Sequence, residues 1–187
     1  MKRQLASSLL KSLAIFVFLT GVVGAWAQEN VAAPASEGPG DLRVFYIGKR
    51  SSSITPCGCK TKQRGGLEYE AALYEQDAQV PSLRLDAGQW SSVRMRSSAQ
   101  DSFATRYLLR GLKLLGYDAV NVGMADIQLP REYLEELNKK YPGTTDFLVS
   151  ANIFRLDDPK TPAFKTSIIV KRPLPGGKEL TVGITGA

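Results

Sequence analysis

The chain has 187 residues, 24 Lys and Arg against 18 Asp and Glu, 43% hydrophobic residues, two cysteines and no histidine. That balance belongs to a globular chain of single-domain length. The missing histidine excludes Ser-His-Asp and Cys-His catalysis and any metal site built with imidazole, and two cysteines cannot complete a four-cysteine zinc site.

Lys2, Arg3 and Lys11 flank an apolar run from Leu13 to Gly24, and Ala25-Trp26-Ala27 then supplies a small-x-small signal peptidase site. The run is shorter than the roughly 18 apolar residues that a spanning helix needs. Residues 1–27 are therefore expected to be a signal peptide cleaved after Ala27, with an uncleaved anchor as the alternative. The protein is expected in the periplasm or outside the cell, meeting the membrane only during export. Half of the formal net charge of +6 lies in this segment. The basic pairs that remain (Lys60 and Lys62, Arg94 and Arg96, Lys171 and Arg172) read as solvated faces, so no nucleic-acid polymer is expected as a partner. Residues 28–40, polar and rich in Pro, Ala and Gly, are expected to form a disordered linker. The folded domain is then 41–187.

Leu42 to Ile47 predicts a strand ended by Gly48, and a polar loop from Lys49 to Gly66 holds Pro56-Cys57-Gly58-Cys59. Leu67, Ala71 and Tyr74 are spaced for one face of a helix over 67–76. Leu83 to Leu85 is a short strand running into Asp86-Ala87-Gly88-Gln89. A second helix covers about Ser98 to Leu115, with Phe103, Tyr107, Leu108, Leu112 and Leu115 on its inner face and Gly116 as its stop. Ala119 to Val122 is a third strand. Pro130 introduces a third helix, 131–140, at a first-turn position, and Phe147 to Ser150 is a fourth strand. Thr166 to Lys171 and Glu179 to Thr185 predict a hairpin turning through Pro173 to Gly177, an antiparallel addition to the sheet. Strands alternating with helices predict an α/β fold with parallel crossovers. Ligands in such sheets collect at the carboxyl ends of the strands: Gly48 onward, Asp86 to Gln89, Gly123 to Asp126, and Asn152.

Those strand ends resemble a known family. Leu83-Arg84-Leu85-Asp86-Ala87-Gly88-Gln89 resembles the L-x-L-D-A-G-D strand end of secreted 5′-nucleotidase-like metallophosphatases, of the calcineurin-like phosphoesterase superfamily. Leu115 to Gly123 is similar to that family's L-G-Y-D-A-x-x-x-G. Leu148 to Ile153 resembles its L-x-S-A-N-I, and Lys178 to Gly186 its K-x-x-V-G-I-x-G strand. The four pieces occur in the family's order from about Asp41 to Ala187. The resemblance implies the N-terminal part of a four-layer α/β/β/α metallophosphatase sandwich, incomplete at its C-terminus, with a two-metal site at the strand ends.

The departures from the pattern fall on the ligands. The family's Asp-x-His at the first strand corresponds to about Gly48-Lys49-Arg50. Its bridging Asp falls on Gln89, and its Asn-His pair on Met124-Ala125. Asp86, Gln89, Asp126 and Asn152 remain as relict metal candidates. Two divalent cations about 3.5–4 Å apart need a bridging carboxylate, which Gln89 does not supply, and a thioether suits neither Mn²⁺ nor Zn²⁺. No cofactor is therefore expected, Mn²⁺ or Zn²⁺ entering only if the chain hydrolyses phosphate esters after all. The alternative for Asp86 and Asp126 is loop capping or pairing with Arg.

The Pro56-Cys57-Gly58-Cys59 stretch and the Gly65-Gly66-Leu67 helix start are similar to a segment of an exported subgroup of these metallophosphatases. Cys57 and Cys59 read as a local disulfide or structural thiols, as a redox-active pair favoured by Lys60 and Lys62, or as soft-metal ligands. Gly65 and Gly66 could present amides to an anion or simply form a turn. Trp90 could stack on a ring or cover the core. The leading functional reading is a non-catalytic binding or scaffold domain for a small molecule or an envelope protein. The alternatives are a metal-dependent 5′-nucleotidase acting on nucleotides, and thiol redox or soft-metal handling through Cys57 and Cys59.

Overall fold

Four short strands run side by side in chain order, each parallel to the last: β1 Arg43–Ile47, β2 Ser82–Asp86, β3 Ala119–Asn121 and β4 Leu148–Val149. The computed structural model describes residues 42–58, 61, 63–92 and 99–187, and all of them belong to one unit spanning Gly40–Ala187. The expected signal peptide and linker lie outside the described residues, as do Cys59, Lys60, Lys62, Arg94 and Arg96.

The crossovers carry helices α1 Leu67–Gln76, α2 Ala99–Leu114 and α3 Arg131–Lys140. Strands added in one direction by crossovers of one hand place their helices on one face. On that face Phe45 meets Tyr74 at 4.8 Å between ring centroids, and Leu108, Leu109, Leu112, Val120, Leu134, Leu137 and Leu148 form the core. Helix α2 ends as its sequence dictates: Gly116 adopts φ 68°, its N–H bonds the Lys113 carbonyl, and the Tyr117 N–H reaches back to Leu112, the double bond of a Schellman stop. The phase of α2 differs from expectation at its start. Thr105, Leu108 and Leu109 are buried, whereas Phe103 and Tyr107 are 54% and 41% exposed and stack on each other. Pro130 stands at the N-cap of α3 and not inside its first turn.

The expected hairpin forms, as β5 Ser167–Pro173 and β6 Glu179–Thr185, but it does not extend the four-stranded sheet. It is a separate two-stranded sheet laid across the face that the helices leave open. Its top is tied to β4 by the Ser150 N–H to Lys165 and the Ala151 N–H to Gly186. Its lower end is tied by Arg172, whose Nε donates to the Ser82 carbonyl at 2.7 Å while Nη2 pairs with Asp118. Arg172 is thus a half-buried tie and not a free solvated charge. Lys171 is exposed and pairs with Glu179 at 2.7 Å.

Candidate functional site at the strand ends

The ladder between β1 and β2 continues past both strands. Lys49 N–H donates to the Gly88 carbonyl at 3.0 Å, Ser51 to Gln89 at 3.0 Å and Ser52 to Trp90 at 2.7 Å. To follow this path the chain places four non-glycine residues in the left-handed region: Lys49, Ser51, Ser52 and Gln89, at φ 58°, 50°, 60° and 59°. Each such residue costs on the order of 1 kcal/mol and persists only where its surroundings over-determine it. Gly88, at φ 103°, lets the turn approach β3, because a Cβ there would stand 3.1 Å from the Gly123 nitrogen.

Asp126, on the short 3₁₀ turn Asp126–Gln128, is the centre of this construction. It is 1% exposed. Its Oδ1 accepts the Ser91 N–H at 2.7 Å, and its Oδ2 accepts the N–H groups of Gln89 and Gly123, both at 2.8 Å. Burial pushes its carboxyl above the ordinary carboxylate range, and these backbone bonds oppose that shift.

Asp86 is equally occupied. Its Oδ1 accepts the Gly88 N–H at 2.8 Å and its Oδ2 accepts Arg50 Nε at 2.6 Å. Arg50 is buried, and its other nitrogens reach Glu70 of α1 at 2.5 and 3.0 Å and the Tyr117 hydroxyl. Tyr117 in turn donates to Glu70 at 2.8 Å and meets Tyr74 at 2.9 Å. Burial works to lower the Arg50 pKa and is outweighed by the bonds to Glu70 and Asp86, which hold it above the usual value. Burial pushes Asp86 up from its ordinary value, and Arg50 and the Gly88 N–H pull the other way. Burial also raises both tyrosines, so the network is an ion cluster roofed by neutral phenols.

The structure thus brings Asp86, Gln89 and Asp126 to two adjoining turns. Asn152 is exposed just past β4, its Oδ1 accepting the Ser150 hydroxyl at 2.9 Å. Gln89 is exposed and Met124 is 73% exposed. Trp90 is wholly buried and donates to the Asn121 carbonyl at 3.1 Å, so it belongs to the core and cannot stack on a ligand. Sequence reasoning missed Arg50 and Asn121. The latter ties the strand ends to the chain beyond β6, donating at 3.1 Å to the carbonyls of both Ala87 and Ala187, while its Oδ1 is buried without a partner among the described residues.

Two divalent metals do not fit this donor set. All four oxygens of Asp86 and Asp126 already accept protein hydrogen bonds, both carboxyls are buried, and a guanidinium cation lies against Asp86. Among the described residues no three His, Cys, Asp or Glu side chains gather as metal ligands would.

In the loop above β1, Cys57 is exposed. Its backbone N–H donates to the Arg64 carbonyl at 2.9 Å, and its Sγ accepts the Arg64 N–H at 3.3 Å. Gly65 and Gly66 have φ 74° and 85°. At Gly66 a Cβ would fall 2.6 Å from the Pro56 nitrogen, and the first amide of α1, that of Leu67, is given to the Ile54 carbonyl.

No family model and no curated protein matches the sequence. Solved structures do match by fold. The 5′-nucleotidase precursor of Thermus thermophilus superposes with a TM-score of 0.54 at 22% identity, over 78% of this chain and 28% of that one. The sulfate thiohydrolase SoxB of the same organism gives 0.54 at 16% identity, over 79% and 35%. The NAD nucleotidase NadN of Haemophilus influenzae gives 0.50 at 18% identity, over 75% and 25%. The fold is therefore α/β and corresponds to the N-terminal portion of the 5′-nucleotidase metallophosphatase fold, and this chain spans only about a quarter to a third of the length of these neighbours.

Proposed function

We propose that the chain is an exported, 5′-nucleotidase-related domain that binds a small molecule or an envelope protein at its strand ends and has no metal-dependent hydrolytic activity of its own. One observation carries the reading: the two carboxylates at the expected metal position are saturated, Asp86 by Arg50 and Gly88 and Asp126 by three backbone amides. Without a bridging carboxylate free to ligate, no metal-held hydroxide can form and nothing offsets the charge on a transferring phosphoryl group. Export is supported by the charged start, short apolar run and Ala25-Trp26-Ala27 of the sequence, and one fold neighbour is itself described as a precursor.

The test is to incubate the purified chain with Mn²⁺ or Zn²⁺ and a simple phosphate monoester, alongside thermal melts with and without EDTA. No turnover and an unchanged melting temperature are expected. Turnover that EDTA abolishes would return the domain to the hydrolases.

A second reading has its own observation. Cys57 is exposed, and the N–H···S bond from Arg64 fixes its sulfur in the loop, which supports thiol redox or soft-metal chemistry with Cys59. Cys57→Ser should then abolish Cu⁺ or Zn²⁺ uptake, or disulfide exchange, in a chain that stays folded.

A further inference from the structure

The amino-terminal ends of the strands, at the opposite pole from the site above, border a cavity of about 400 Å³. Residues 78–82, the turn leading into β2, form one wall, and Gly116 and Pro173 close others. Two arginines enter it from opposite faces of the sheet. Arg84 comes from the helix side, its guanidinium 4.4 Å from the centre of the Tyr74 ring. Arg172 comes from the hairpin side, donating to the Ser82 carbonyl. Among the described residues no carboxylate lines the cavity. The nearby Asp118 is already engaged, its Oδ1 by Arg172 and its Oδ2 by the Arg84 backbone N–H at 3.0 Å.

Arg84 Nη1 donates to the Leu115 carbonyl. Its Nε, on the other edge of the fork, is buried and meets no acceptor among the described residues. Buried donors are almost always paired, and that edge of a guanidinium is the one that grips carboxylate and phosphate oxygens side-on. Gly116 keeps the approach open, since a Cβ there would stand 3.2 Å from Arg84 Nη1. The volume is that of a small-molecule site.

We propose that this cavity is a binding site for a small oxyanion, a carboxylate or phosphate group, held between the guanidinium groups of Arg84 and Arg172. The site is separate from the strand-end reading and does not depend on it.

The experiment is an amide NMR titration of the whole chain with sodium phosphate and, separately, with sodium acetate, each at ionic strength fixed with sodium chloride to remove simple screening. Saturable shifts at Ser82, Gly116 and Arg172 are expected in the millimolar range, and the two salts distinguish the phosphate from the carboxylate. Arg84→Gln should weaken binding about tenfold or more. Arg172→Gln also removes the hairpin's tie to Ser82 and Asp118, so it is compared with Asp118→Asn, which weakens the same tie and leaves both guanidinium groups in place; only Arg172→Gln should lose binding. Should Arg84→Gln unfold through loss of the Tyr74 stacking, this pair carries the test. No saturable shift with either anion, or binding that Arg84→Gln or Arg172→Gln leaves untouched, overturns the proposal.

Discussion

At the scale of the residue, Asp126 holds the strand ends together. Replacing it with Ala removes the acceptor of three amides and leaves Gln89, in the left-handed region, held only through its carbonyl by the Ser51 N–H among the bonds described above. Asp126→Ala should cost about 3 kcal/mol in urea unfolding, the penalty of stranding buried donors. A loss under about 1 kcal/mol would mean that water replaces the carboxylate at little cost. Both strand-end carboxylates were legible in the sequence, because each follows an apolar run at a place where α/β sheets gather ligands. Arg50 was not. It sits in a polar stretch, Lys49-Arg50-Ser51-Ser52-Ser53, where nothing periodic marks one charge as buried. Its partners Glu70 and Asp86 lie 20 and 36 positions away, so only the fold identifies them.

At the scale of the element, the order of strands and helices was legible because apolar spacing and Gly and Pro stops mark each one. What failed was the assignment of faces. The start of α2 presents Phe103 and Tyr107 to solvent because Thr105 is drawn inward to the Ser52 hydroxyl at 2.8 Å, a polar anchor that a hydrophobic count overlooks. The hairpin was legible as a hairpin but not as a second layer, since strand spacing says nothing about which sheet a strand joins. Gly66 shows what the loop before α1 requires. Gly66→Ala combines a disfavoured φ with a collision against Pro56, so it should destabilise by at least about 2 kcal/mol. Gly183→Ala, in β6, meets nothing within 4 Å and should change stability by less than about 0.5 kcal/mol. Chemical denaturation of the two variants side by side checks both.

At the scale of the whole molecule, the core lies between the sheet and its helices, and the hairpin covers the other face only in part. Tyr46 and Val44 of β1 are 82% and 49% exposed on that face, and Ile169 of the hairpin is 71% exposed. Large apolar side chains left in water contribute little to folding. The double variant Tyr46→Ser and Ile169→Thr should therefore leave the stability in urea within about 0.5 kcal/mol of the parent and lower the fluorescence of a bound apolar dye. A loss of several kcal/mol would show that these side chains are packed in solution. The composition made a globular chain legible and the alternation of strands and helices an α/β fold, but an uncovered face leaves no mark in the sequence, because Val44 and Tyr46 alternate with more buried residues as in any half-buried strand.

The shared acceptor at Asp126 also couples parts of the chain that are distant in sequence. Gln89, Ser91 and Gly123 come from two different loops, yet their amide protons all rest on one carboxylate. None of them is released unless that carboxylate lets go, so the two loops open as a single unit. In deuterated solvent these three protons should exchange together, with one common protection factor, although no regular secondary structure contains any of them.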